Sequence, residues 1–211
     1  MEALELFFMP NPALETEFSR LIALIRGCAM CRIPPPAYPI VSGNLGARVM
    51  SVGQCPGALE CELGRPFAGQ AGRTLFAWLA SVGIDERRFR AGTYMTAITK
   101  CYPAPDAKGR RETPLPREVI NCAPYLVREL RIVQPEVILA IGGMAIRRLL
   151  GEVRLENVVG RAFTRRCHGF DALVIPLPHP SGRSAWRHAP ENRRLLGSAL
   201  KKAAEACAPL L

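Results

Sequence analysis

Residues 48–57 read Arg-Val-Met-Ser-Val-Gly-Gln-Cys-Pro-Gly, a short apolar run that changes abruptly into a loop rich in glycine and proline. The run Arg48–Val52 predicts a buried β-strand. Gly53–Gly57 predicts a tight turn directly after it, because glycine and proline end regular structure. A strand that ends in such a loop is typical of an α/β sheet, where functional groups gather at the carboxyl ends of the strands.

Outward from this strand, the chain alternates between strand and helix patterns. Further strands are predicted at Thr93–Thr99, Val137–Ile141 and Leu173–Leu177. Helices are predicted at Glu15–Gly27, Gln70–Ser81, Pro116–Val133, Met144–Leu150 and Glu191–Ala206. The proline-rich segment Cys31–Gly46 is predicted to be an extended connector. Because strands separated by helices pair in parallel, we predict a three-layer α/β/α sandwich with a mainly parallel sheet of about four strands, and residues 1–211 as one domain.

Composition indicates the class of partner. The chain carries 28 Lys and Arg against 18 Asp and Glu, a formal net charge of +10. A charge of this size attracts polyanions, so nucleic acid is the first partner to consider and a merely soluble basic protein is the alternative. No apolar stretch approaches the roughly 20 residues of a membrane-spanning helix, and the N-terminal residues lack the basic region of a secretory signal. We therefore expect a cytoplasmic protein.

Eight cysteines in a cytoplasmic chain argue against a disulfide framework, because that compartment keeps thiols reduced. Cys28 and Cys31 form a C-x-x-C pair at the end of a predicted helix, whereas Cys101 follows a strand and Cys122 lies in a helix. Four converging thiolates can bind either a tetrahedral zinc ion or a [4Fe–4S] cluster, and half-buried free thiols are the alternative. The other four cysteines have no partner at ligand spacing: Cys55, Cys61, Cys167 and Cys207. Of these, Cys55 and Cys207 are predicted to be packing residues.

Three segments with unusual composition follow predicted strands. They are Gly53–Gly57, Lys100–Pro103 and His179–Ser184. Because the carboxyl ends of parallel strands meet at one edge of a sheet, we expect these three segments to lie on one rim.

The same segments resemble the family 4 uracil-DNA glycosylases. Gly53–Glu60, continuing to Gly64–Gly72 (GRPFAGQAG), is similar to the family's first motif, GEAPG followed by GRPF-x-G-x-AG. Lys100–Pro103 (KCYP) and Cys122–Leu126 (CAPYL) are similar to its KC-x-P and CRPYL segments. His179–Ser181 looks like the second motif of the superfamily. The resemblance therefore extends along nearly the whole chain.

The resemblance implies a [4Fe–4S] cluster and a set of site residues. The cluster ligands would be Cys28, Cys31, Cys101 and Cys122. His179, Gln54 and Glu60 are the implied catalytic residues, with His179 donating a hydrogen bond to the departing base. The implied substrate-binding residues are Gly53, Cys55, Gly57, Phe67, Ala97, Ser181 and Arg183. We expect His179, Gln54 and Phe67 to line one cavity.

Two positions depart from the family 4 pattern. Gln54 stands where the family usually has a glutamate, and an amide cannot serve as a base. Ala97 stands where the family usually has an asparagine that contacts the edge of uracil, and this region resembles the TAAV-x-C pattern of family 5, whose members accept several deaminated bases. The resemblance therefore implies a divergent member between these two families.

The implied activity is hydrolysis of the bond between uracil, or another deaminated base, and the sugar of single- or double-stranded DNA. We expect a monomeric, monofunctional enzyme, because no lysine is placed as a Schiff-base nucleophile. One alternative is a protein that binds damaged or abasic DNA without turnover, which the absence of an ionisable residue at position 54 favours. A zinc-stabilised nucleic-acid adaptor is a third hypothesis.

Overall fold

The computed structural model describes residues 11–33, 38–103, 113–182 and 185–211. Within these ranges the strands are β1 (Val49–Gly53), β2 (Thr93–Ala97), β3 (Val137–Ile141), β4 (Phe163–Cys167) and β5 (Phe170–Leu177). The helices are α1 (Pro12–Arg26), α2 (Ala58–Leu63), α3 (Gln70–Ala80), α4 (Glu86–Gly92), α5 (Pro116–Val133), α6 (Gly143–Leu150), α7 (Leu155–Val158) and α8 (Pro190–Cys207). A short 3-10 helix spans Ala185–His188.

The sheet has the strand order β2-β1-β3-β5-β4. The first four of these strands are parallel, and β4 pairs antiparallel with β5. This confirms the predicted α/β class with a mainly parallel sheet. The fifth strand, β4, was not predicted because Thr164, Arg165 and Arg166 at its centre are exposed and polar. An edge strand with such side chains shows neither an apolar run nor a clear alternation.

Two hydrophobic cores, one on each face of the sheet, produce the three layers. Alternate residues of β3 point to opposite faces: Ile138 and Ala140 pack with α1, α5 and α6, whereas Leu139 and Ile141 pack with α3, α4 and α8. Because both faces are covered, β1, β2 and β3 are buried along their whole length, as is typical of parallel strands.

Helices α2, α4 and α7 are short and were not predicted. Helix α4 begins after Asp85, whose carboxylate accepts a hydrogen bond from the backbone N–H of Arg88 at 3.0 Å, an N-cap that stabilises a short helix. In residues 38–46 of the predicted connector, Ser42 makes an isolated antiparallel bridge to Met95. No helix in the described ranges is long and apolar enough to cross a membrane.

Candidate active site and cysteine cavity

A cavity of about 980 Å³ opens at the carboxyl ends of the parallel strands. The residues predicted for catalysis and base binding all line it, as far as the structure describes them: Gly53, Gln54, Cys55, Gly57, Glu60, Phe67, Ala97, His179 and Ser181. Arg183, the remaining implied substrate-binding residue, and Ser184 beside it lie outside the described residues. The expected shared cavity of His179, Gln54 and Phe67 is therefore present.

The floor of this cavity is formed where β1 and β2 end side by side. Gly53 is the register partner of Ala97. A Cβ atom added to Gly53 would lie 3.4 Å from Cζ of Phe67 and 3.9 Å from Cβ of Ala97. The Phe67 ring thus reaches over the strand ends, and Ala97 offers only a methyl group there. The floor presents apolar surface where an asparagine would present an amide.

The turn that carries Phe67 has an unusual backbone. Phe67 has φ +51°, in the left-handed region that side-chain-bearing residues seldom adopt. A Cβ atom added to Gly72 would lie 1.8 Å from the Phe67 carbonyl oxygen. Only glycine at the start of α3 therefore lets this turn pack so closely, which explains the spacing between Phe67 and Gly72 in the sequence.

Glu60 connects two glycine-containing turns that line the cavity. Its side chain is buried, and its two carboxylate oxygens accept the backbone N–H groups of Gly57 and Gly69, each at 3.1 Å. A charged acceptor makes such hydrogen bonds stronger than neutral ones. The geometry therefore supports a structural role for Glu60, which holds these two turns together. The catalytic role suggested for Glu60 stays a prediction.

His179 follows β5, and its ring orientation is set by its own loop. The backbone N–H of Ser181 donates to Nδ1 of His179 at 3.2 Å, and the Ser181 Oγ lies 2.9 Å from the same nitrogen. A backbone N–H can only donate, so Nδ1 acts as an acceptor in this contact, and a neutral imidazole carries its proton on Nε2. This tautomer is inferred from the hydrogen-bond partner. Ser181, one of the implied substrate-binding residues, is thus also a partner of His179.

The ring of His179 also packs against the glycine turn after β3. A Cβ atom added to Gly142, whose φ is +90°, would lie 3.0 Å from Cδ2 of His179. The pair Gly142-Gly143 therefore allows the imidazole to approach the backbone closely. The sequence showed these glycines only as the end of a strand.

A second, smaller cavity of about 210 Å³ lies beside the first and is lined by Cys28, Cys31, Cys101 and Cys122. The four cysteines predicted as ligands therefore line one cavity, and their role as ligands stays a prediction. Burial first, then the neighbouring thiols, raises the pKa of Cys101 to about 12. In the described ranges, no three His, Cys, Asp or Glu side chains are arranged to hold a single metal ion. The four thiols surround a space and do not meet at a point.

Two further residues near this cavity were not predicted. Cys61 of α2 is buried and close enough to Cys101 for its charge to raise the pKa of that thiol. The Lys100 ammonium is also buried, 2.7 Å from Glu129 Oε2 of α5. Lys100 was part of the KCYP motif, but nothing in the sequence indicated its partner 29 positions away. Lys100 lines the cysteine cavity and also donates to the carbonyl oxygen of Ala97, which lines the larger cavity.

Comparisons with known proteins agree with this geometry. The model of the "Uracil DNA glycosylase superfamily" matches residues 40–204. A "Type-4 uracil-DNA glycosylase" of Archaeoglobus fulgidus is 31% identical over 194 residues, which cover 89% of this chain and 92% of that protein. A "Type-5 uracil-DNA glycosylase" of Pyrobaculum aerophilum is 33% identical over 119 residues, 51% of this chain and 50% of that protein. The crystal structure of Pedobacter heparinus SMUG2 has a similar fold, with a TM-score of 0.53 at 12% identity, covering 92% of this chain and 97% of that one.

Proposed function

This chain belongs to the uracil DNA glycosylase superfamily, and we propose that it excises uracil from DNA by hydrolysing the N-glycosidic bond, which leaves an abasic site and initiates base-excision repair. The resemblance to family 4 with features of family 5 is confirmed. The observation that carries the proposal is the single cavity that His179, Gln54 and Phe67 share at the strand ends. Expectations of one domain, a monomer, a cytoplasmic location and no lyase step stay predictions.

His179 is proposed to stabilise the departing base. Cleavage of the bond between C1′ and the base nitrogen leaves negative charge on the base and positive charge on the sugar. The Nε2–H of the neutral imidazole donates a hydrogen bond to a base oxygen as that charge develops, and a donor fixed in place beforehand is most effective. Ser181 and the Gly142 turn hold the ring, so the donor does not have to reorient during the reaction.

Other residues of the cavity are proposed to bind the base and the water. An extruded base is held by stacking and by hydrogen bonds to its edge. The Phe67 ring supplies the stacking surface above Gly53, and the Ala97 methyl group leaves the base edge without a side-chain partner at that position. Gln54 is proposed to orient the attacking water through its amide oxygen, since it cannot remove a proton.

The four cysteines are proposed to hold a [4Fe–4S] cluster. Four thiolates on one zinc ion at about 2.3 Å would lie roughly 3.8 Å from each other, whereas in the described ranges no three of these side chains are arranged to hold a single metal ion. That arrangement fits a multi-atom cluster better than one ion. The cluster would act as a structural brace, because it would link the C-terminal end of α1 to α5 and to the segment after β2.

The cluster makes a prediction for the purified protein. Cys122→Ala removes one thiolate, and we expect it to lower bound iron and broad visible absorbance to less than half of the wild-type level, since four thiolates hold a [4Fe–4S] cluster. Cys207→Ala is the matched control, because Cys207 is also buried but lies at the end of α8, in the core that α8 forms with α3 and α4. A colourless wild-type protein that contains zinc would contradict the cluster.

The activity is tested with oligonucleotides that contain one uracil, single-stranded or paired, followed by alkaline cleavage of abasic sites. We expect strand cleavage with uracil, and a panel with hypoxanthine and xanthine defines the base range that Ala97 permits. Intact strands with every base, together with stable binding to abasic DNA, would contradict the enzyme and favour the non-catalytic binder of damaged DNA.

A further inference from the structure

Arg90, on α4, holds the backbone of the turn that carries Phe67. Its Nη1 and Nη2 atoms donate to the carbonyl oxygens of Pro66 and Phe67, each at 2.9 Å. Two consecutive carbonyls are thus bound by the two ends of one planar guanidinium. A lysine ammonium lacks this fork and cannot reproduce the geometry.

The guanidinium is itself fixed on its other sides. Nε donates to Glu86 Oε1 at 2.8 Å, one helical turn earlier, and the guanidinium carbon lies 4.4 Å above the centre of the Phe76 ring of α3. Only 20% of the Arg90 side chain is exposed. Arg90 is therefore held between α3 and α4, with its two Nη atoms directed at the turn. An exposed arginine on a basic helix would not make this set of contacts.

The turn needs such a restraint. Phe67 is a non-glycine residue at φ +51°, a backbone conformation that persists when the surroundings enforce it. Gly72 provides the room for the Phe67 carbonyl, and Arg90 provides the hydrogen bond that holds it there. With that carbonyl fixed, the Phe67 ring is directed back over Gly53 and Ala97.

We propose that Arg90 is a positioning residue that sets the orientation of Phe67 against the extruded base. The inference rests on the proposed function, because Phe67 stacks on a base only in that activity. Arg90 does not line the cavity among the residues that the structure describes. It acts through the backbone of Phe67, and its effect therefore depends on the presence of the Phe67 ring.

The test is a double-mutant cycle on excision of uracil from a single-stranded oligonucleotide. We expect Arg90→Gln to lower kcat/KM about tenfold, within the range that stacking on an aromatic side chain contributes per base. The loss falls mainly on KM where chemistry is slower than dissociation, because stacking holds the base before the bond breaks. In the Phe67→Ala background, Arg90→Gln changes kcat/KM less than about twofold, since residues that act through one another are not additive.

The matched control lies on the same helix. Arg88 also donates to a backbone carbonyl, that of Ala208 at 2.8 Å, and it is not among the described residues that line the cavity. Arg88→Gln removes the same charge and the same kind of hydrogen bond, and we expect it to leave kcat/KM within about twofold of wild type. Arg90→Lys is the second variant. It keeps the positive charge, and it replaces Arg90→Gln in the double-mutant cycle if Arg90→Gln lowers the Tm strongly.

The outcomes separate this inference from the activity itself. Equal losses from Arg90→Gln with and without the Phe67 ring would overturn the positioning role, as would an equal loss from Arg88→Gln. No excision by the wild-type protein in the same assay would reject the proposed function, and the inference with it. Coupling between Arg90 and Phe67 with a retained Tm supports both.

Discussion

His179→Ala is expected to lower kcat/KM for uracil excision by about 10²–10³-fold, the loss of about 2.7–4 kcal/mol seen when one preorganised donor to a developing anion is removed. The expected loss is large because the cavity is enclosed on one side by the apolar Phe67 and Ala97, where water competes less for the base oxygen. Single-turnover rates on a uracil oligonucleotide measure the effect directly. The loss should fall on kcat, since the negative charge forms only as the bond breaks.

Two control variants test whether this loss of activity comes from the His179 donor itself. His168→Ala removes an exposed imidazole from the turn between β4 and β5 and is expected to leave the rate unchanged. Ser181→Ala removes one partner of Nδ1 but keeps the Ser181 backbone N–H. We therefore expect kcat/KM to fall by less than about tenfold, close to the contribution of one ordinary hydrogen bond. If His179→Ala excised uracil within threefold of the wild-type rate, the imidazole would not be the donor.

Much of the site was predictable because its residues follow strands. The loops at Gly53, Lys100 and His179 each come directly after a strand, and parallel pairing brings the ends of β1, β2 and β5 to one edge. Regular pairing thus converts positions distant in the chain into neighbours. The missing prediction was β4, whose exposed arginines carry no strand pattern.

Contacts that depend on side chains from separate helices were not predictable. Arg90 lies in a Glu-Arg-Arg-Phe-Arg run that reads as a solvated basic surface, and its two carbonyl partners lie 24 and 23 positions earlier. Glu60 matched a motif carboxylate, but its hydrogen bonds to Gly57 and Gly69 depend on how two turns face each other. Sequence patterns indicate the type of a side chain and not which backbone group it meets.

The buried ion pair of Lys100 and Glu129 is the clearest example of a contact that the sequence did not predict. Through Lys100 it contacts both the cysteine cavity and the floor of the larger cavity. Lys100 Nζ donates to Thr96 Oγ1 at 2.8 Å and to the carbonyl oxygen of Ala97 at 2.6 Å, at the floor of the larger cavity. Glu129 Oε1 accepts from Tyr94 at 3.0 Å and from Thr96 at 2.9 Å. Burial first, then the Glu129 carboxylate, raises the pKa of Tyr94, so its phenol remains a donor.

Lys100→Met is expected to lower the free energy of unfolding by about 3–5 kcal/mol, because it leaves the Glu129 carboxylate buried without its cation. The double variant Lys100→Met with Glu129→Gln should be more stable than Lys100→Met alone, since the amide oxygen still accepts from Tyr94 and Thr96 and no charge remains buried. Urea unfolding of Lys100→Met, Glu129→Gln and the double variant measures these differences.

The exposed pair of Arg48 and Glu136 provides the matched control for the ion-pair argument. Their side chains are each 53% exposed, and Arg48 Nη2 lies 2.9 Å from Glu136 Oε2. Water solvates both groups when the contact is lost, so Arg48→Met should change the urea midpoint far less than Lys100→Met does. If the double variant at 100 and 129 were as unstable as the sum of its single changes, the two side chains would not act as a pair. The stability of this region would then come from packing around Lys100, and the ammonium would hold the Ala97 carbonyl without help from Glu129.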